Sequence, residues 1–220
     1  MGKPGARFVA KMEDVLDVYA RPYDAKHPVI CTDECSKELH TSPRPDLPAK
    51  PGKNGRQDYE YAREGTRNMF IAVEPLTGRN SVRVTQRRTS VDYAEHLRRL
   101  VDEEYADAEY IVLVNDNLNT HSAACLYEAF EPEEAQRIAK RIEWHWTPEH
   151  ASWLNMAEIE LSILSRQCLK RRIPDEATLV HEIAAWECQR NSEPVTINWQ
   201  FTADDARIKL RHLYPERKKA

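Results

Sequence analysis

The 220 residues contain no apolar run near the roughly 18 needed to cross a bilayer, and the opening MGKPGARF lacks the apolar core of a signal peptide. A basic excess is missing too. The 32 Lys and Arg stand against 36 Asp and Glu, a formal charge of −4 with a pI near 6.1. Proteins that mainly neutralise phosphates show such an excess, so any cationic surface must be local. Five scattered cysteines, an odd count, suit reduced thiols in a cytosolic protein rather than a disulfide framework. Cys31-x3-Cys35 finds no second pair at zinc-site spacing, which argues against structural zinc. No internal repeat is present. What remains is ordinary for a soluble globular chain, 41% hydrophobic and 31% charged, with room for one large domain or two small ones.

The most informative stretch is YIVLVNDNLNT, Tyr110 to Thr120, followed at once by His121. Four apolar residues, Ile111 to Val114, stop at Asn115-Asp116-Asn117, which predicts a short buried strand rather than a helix. Polar side chains after such a run stand at the strand's carboxyl end, where open α/β sheets gather ligands and catalytic groups. Asp116 is therefore a candidate catalytic carboxylate, although an Asx-turn would use Asp116 and Asn117 equally well. PVICT at 28–32 repeats the pattern, a β-branched run that Asp33-Glu34 is expected to stop. Taken alone, that pair reads more simply as a solvated strand terminus.

Around these strands the pattern alternates. RFVAKMEDVLDVY at 7–19 carries Phe8, Met12, Val15, Leu16 and Tyr19 at helical spacing and ends near Pro22. Residues 40–68 read as a long basic loop punctuated by Pro43, Pro45, Pro48 and Pro51, with nucleic-acid contact and a tolerated insertion both open. MFIAV at 69–73 and SVRVT at 81–85 read as strands joined by a turn at Leu76-Thr77-Gly78, the second with one wet face. Arg79, Arg83, Arg87 and Arg88 cluster there, as a solvated basic edge or as phosphate contacts. A helix opens at Ser90 or Asp92 and runs to about Glu104. Residues 123–130 and 131–141 read as helical, with Pro132 at a helix start, and IEWHW at 142–146 as the last strand.

Trp153 to Lys170 reads as one strong helix with Leu154, Ala157, Leu161, Leu164 and Cys168 in a stripe. Glu158 and Glu160 flank that stripe on opposite sides, and the helical period leaves open which of them serves a site. Lys170-Arg171-Arg172 closes the helix, where cations suit its dipole. Helices follow at Asp175 to Trp186 and Ala203 to Leu213; Asp204 and Asp205 fit a helix start.

Three sequential strands, then alternating helix and strand, suit an α/β fold: a mixed five-stranded sheet, three strands antiparallel then two parallel, with helices on both faces. If the first and fourth strands are parallel neighbours, Asp33 and Asp116 lie side by side, and the helix after the fifth strand lowers Glu158 or Glu160 onto them. Converging acids without a paired base repel one another unless cations are present. Hard oxygen ligands suit Mg²⁺ or Mn²⁺. Two such ions about 4 Å apart serve phosphoryl transfer, which points to a polynucleotide substrate.

CTDECSKEL at 31–39, VNDNLNTH at 114–121 and above all TPEHASWLNMAEIELSILSRQC at 147–168 carry a resemblance that spans nearly the whole chain. IPDEATL at 173–179, NWQFTADDARIKLRHLYP at 198–215 and MEDVLDVYARPYD at 12–24 extend it. The chain resembles the catalytic domain of bacterial insertion-sequence transposases of the mariner superfamily, DDE endonucleases of ribonuclease-H-like fold. That resemblance implies Asp33, Asp116 and Glu158 as the catalytic acids and ligands of two Mg²⁺ or Mn²⁺ ions. Glu158 is chosen because it closes the Leu154-Asn155-x-x-Glu pattern, outside which Glu160 falls. The implied chemistry is DNA cleavage at transposon ends and strand transfer into target DNA.

Asn117, His121 and Asn155 are expected to support the acids or touch DNA, with a plain helix-start histidine equally open for His121. Arg83, Arg87, Arg88, Lys170, Arg171 and Arg172 are candidate DNA-backbone contacts. The expected division is a linker helix at 1–26, a catalytic domain at 27–172 and a helical extension at 173–220. Double-stranded DNA and a second copy of the chain are the implied partners, in the cytoplasm of a bacterium and on its nucleoid, with no membrane. The amino-terminal helix-turn-helix part that such transposases carry is expected to be separate or missing. An inactive or repurposed DNA-binding or assembly module, and a ribonuclease-H-like host nuclease, are the competing readings.

Overall fold

The computed structural model describes residues 5–44, 47–56, 59–116, 118 and 121–216. Asn117, expected beside the acids, lies outside the described residues. Helix α1 (Ala6–Tyr19) buries Val9, Met12, Val15, Leu16 and Val18, as its apolar spacing requires. Strands β1 (Val29–Thr41), β2 (Ala62–Glu74) and β3 (Arg79–Thr85) follow, then α2 (Ser90–Arg99), β4 (Ile111–Asn115), α3 (Ala124–Ala129), α4 (Pro132–Ala139) and β5 (Ile142–Trp146). The chain closes with α5 (Ala157–Leu164), α6 (Glu176–Ser192) and α7 (Ala203–Lys209). Among the described residues, no helix is long and apolar enough to cross a membrane.

The five strands form one sheet in the order β3-β2-β1-β4-β5. The first three pair antiparallel, while β1 with β4 and β4 with β5 pair parallel. Side chains alternate across β1, so Cys31 and Ile30 enter different cores. Cys31, Met69, Ile71, Val112 and Val114 pack with Met12 and Leu16 of α1, Leu161 and Leu164 of α5 and Ile183 and Trp186 of α6. Ile30, Phe70, Ile111 and Leu113 pack with Tyr93, Leu97, Leu126 and Ile138 of α2, α3 and α4. Both faces are covered, as the strand-and-helix order implied.

Three expectations change. Asp33-Glu34 do not end β1, which continues to Thr41 because β2 supplies antiparallel partners from Cys31↔Val73 to Thr41↔Ala62. The loop expected over 40–68 is correspondingly shorter, since β1 ends at Thr41 and β2 begins at Ala62. Within the loop, backbone bridges link Leu47 with Arg56 and Lys50 with Lys53. The single helix expected over 153–170 is broken: a 3₁₀ turn spans Ser152–Leu154, Asn155 is extended (φ −85°, ψ 112°), and α5 begins at Ala157. The edge strand β3 is covered by α6, whose Glu187 and Asn191 side chains accept the Val82 and Asn80 N–H groups at 3.0 and 2.8 Å.

Candidate active site

Register places the two aspartates. Parallel pairing runs from Val29↔Val112 to Cys31↔Val114, so Asp33 and Asp116 each stand two residues beyond the last β1–β4 pair. β4 ends at Asn115 while β1 runs on, which opens space beside Asp33 at the carboxyl end of β4. There the Asn155 amide donates to the Thr32 carbonyl at 2.9 Å and to Asp33 Oδ2 at 3.1 Å. Its Oδ1 accepts the Ala157 N–H at 3.1 Å, so one buried side chain fixes Asp33 and the start of α5 together. The Tyr19 hydroxyl donates to the Leu154 carbonyl at 2.7 Å, which ties α1 to the same corner.

Glu158 and Glu160 now separate. Glu160 is buried and bidentate with Arg190 of α6, at 2.6 and 2.9 Å. Glu158 lies in the first turn of α5 and is exposed. The two share a helix, but among the described residues Glu160 has a charge partner from another element, Arg190 of α6.

Burial pushes the Asp33 carboxyl up to about 7; the Glu34 N–H opposes this, and the charges of Glu158, Glu34 and Asp116 add to it. The pattern of apolar runs missed Glu34, which points to the opposite face of β1 with its side chain only 6% exposed. Its carboxyl is raised by burial, an effect that the facing imidazole of His121 opposes. His121 Nε2 sits 3.3 Å from Glu34 Oε2, Nδ1 contacts Asp116 Oδ1, and the ring packs tilted against Tyr93 with centroids 4.2 Å apart. The signal for Glu34 was its position next to Asp33: consecutive acids on a strand that does not stop must face both sides of the sheet.

The expected cationic residues are dispersed. Arg88 Nη1 reaches Glu34 Oε1 at 3.6 Å, Arg87 is exposed, and Arg83 is half-buried on β3. Lys170 is exposed, whereas Arg171 pairs with Glu182. Arg172 donates to the carbonyls of Tyr59 and Glu60, each at 3.2 Å, and clasps the loop between β1 and β2. The carbonyls of Leu169 and Arg171 accept from Lys37 Nζ at 2.6 and 2.9 Å, so the cation at that helix end comes from β1.

Carboxylate oxygens gathered at one corner, with the Asp33 carboxyl raised by burial and by the charges beside it, are a donor set suited to a hard divalent cation. Among the described residues no three His, Cys, Asp or Glu side chains already form a cage for an ion, and Glu158 would have to turn inward to join the aspartates.

Comparison with known proteins defines the class. The family model described as DDE superfamily endonuclease matches residues 28–180, and the chain belongs to that family. No curated protein sequence matches. Among solved structures, the mariner Mos1 paired end complex with Mg matches 86% of this chain and 57% of its own, with a TM-score of 0.57 and 11% identity. The Mos1 Strand Transfer Complex matches 86% and 55%, with a TM-score of 0.54 and 14% identity. The Mos1 mariner paired end complex with Mn matches 84% and 56%, at 0.51 and 13%. The fold is therefore the ribonuclease-H-like fold of these transposases, and the chain spans a little over half the length of the Mos1 chains.

Proposed function

We propose that this chain is the catalytic part of an insertion-sequence transposase that cleaves DNA strands at transposon ends and joins them to target DNA. The observation that supports this reading is the shared register of Asp33 and Asp116, with Glu158 in the first turn of the helix that Asn155 anchors to Asp33. In this reading Asp33, Asp116 and Glu158 hold two Mg²⁺ or Mn²⁺ ions. Held there, such ions would supply Lewis-acid chemistry suited to an attacking water or 3′-hydroxyl and a leaving oxygen. Asn155 orients Asp33, and His121 with Glu34 behind it orients Asp116. Residues 1–26 act as a linker helix, 27–172 as the catalytic unit and 173–220 as its helical extension. Two copies work on duplex DNA, and a helix-turn-helix part supplies recognition of the ends.

The test is Mn²⁺-dependent nicking of a supercoiled plasmid. Asp33→Asn, Asp116→Asn and Glu158→Gln are each expected to bring cleavage below detection while leaving the far-ultraviolet circular dichroism unchanged. An Asp116→Asn protein that nicks at the wild-type rate would end this reading.

A further inference from the structure

The segment joining β5 to α5 contains the one non-glycine residue with positive φ among the described residues, His150 at +62°. L-residues with a Cβ disfavour this left-handed region, and such strain persists only where the surroundings impose it. Pro148 and Ala151 close the turn through an N–H to carbonyl bond of 3.2 Å, and Thr147 N–H bonds the Asn115 carbonyl at 2.9 Å. The turn is thereby pinned to the end of β4, next to Asp116.

His150 lines a cavity of about 470 Å³ whose wall also includes Asp116, Thr147, Glu149 and Ser152. The His150 side chain is exposed there. No Lys or Arg is among the described residues lining this cavity, and two of those residues are acids. The side-chain hydrogen-bond donors facing the cavity are the two hydroxyls and the imidazole, and only the imidazole can carry positive charge.

We propose that His150 is a strand-positioning residue: its imidazole donates to a DNA phosphate lying in the cavity beside Asp116, and the left-handed turn presents it there. This rests on the DNA-cleaving reading above. Imidazole always keeps at least one N–H to donate.

The strain makes a structural role separable from a positioning one. Glycine occupies positive φ freely and asparagine tolerates it, so His150→Gly and His150→Asn relax the turn. Anisotropy of a labelled short duplex, thermal midpoint and plasmid nicking are measured on the full chain. His150→Gly is expected to keep or raise the midpoint while weakening duplex affinity about tenfold, the loss of one hydrogen bond to a phosphate oxygen. His150→Asn, which keeps an N–H donor and the turn but cannot carry the charge, is expected to recover part of that affinity.

A glycine variant that binds duplex as tightly as wild type overturns the proposal. So does a parallel fall of midpoint and affinity in both variants, which would make the residue structural. A wild-type chain that binds duplex but never nicks it, with the glycine defect still present, counts against the cleavage reading and supports the His150 contact. A wild-type chain that binds no duplex overturns both.

Discussion

Asp33 keeps its proton in the folded chain where an ordinary aspartate has lost it. Its carboxyl moves from 3.8 to about 7 because burial, then the charges of Glu158, Glu34 and Asp116, disfavour ionisation. Between those two values the folded state binds more protons than the unfolded state, so stability falls as pH rises through that window. Asp33→Asn removes this cost at pH 8. Part of the gain is offset, because the Glu34 N–H and the Asn155 amide donate to the two different Asp33 oxygens and an asparagine has only one accepting oxygen. We predict a net gain on the order of 2 kcal/mol, or roughly 5 °C in midpoint, at pH 8 and none at pH 4. A variant midpoint at pH 8 equal to or below wild type would contradict this. Asp116 was legible in the sequence because a buried apolar run stops just before it. The setting of Asp33 was not, because its strand is prolonged by pairing with β2 across a long loop, a non-local event.

At the scale of the element, α5 carries two acids in different settings, Glu160 buried and paired and Glu158 exposed. The helical period could not choose between them, since the deciding partner, Arg190, lies 30 residues along the chain on α6. Breaking the buried Glu160–Arg190 pair leaves a desolvated guanidinium, so Glu160→Ala is predicted to cost about 3 kcal/mol in a urea melt. Glu158→Gln, at an exposed position, is predicted to change stability by less than ~0.5 kcal/mol while removing nicking. Equal stability losses in the two variants would contradict this division of labour. The helix start was also misplaced by the sequence. The apolar stripe continues back to Leu154, but Asn155 spends its side chain on Thr32, Asp33 and Ala157 and leaves the helix at that point.

Across the whole molecule the carboxyl-terminal segment is packed on the sheet and on α1. Arg207 and Tyr214 bond Glu13 of α1, and the Ile197 N–H bonds the Pro75 carbonyl at 2.8 Å beside the β2–β3 turn. Gly78 makes that turn at φ +74°, and a Cβ there would lie 2.7 Å from the Val195 carbonyl. Gly78→Ala is therefore predicted to cost on the order of 2–3 kcal/mol and to expose residues 194–201 to protease. Unchanged urea and proteolysis profiles would contradict that docking. The mixed five-stranded sheet, three strands antiparallel then two parallel, was legible because alternation of strands and helices constrains topology strongly. The docking of the tail was not, since nothing local in residues 194–201 announces a partner on the β2–β3 turn.

Asp33, Asp116 and Glu158 are proposed to form a hard-metal site for phosphoryl transfer. The most direct test is a calorimetric titration of Mn²⁺, with duplex DNA present, into wild type and the Asp33→Asn/Asp116→Asn double variant. Binding by wild type that is lost in the double variant is the predicted result. Equal binding by the two proteins, or none by either, would contradict the claim.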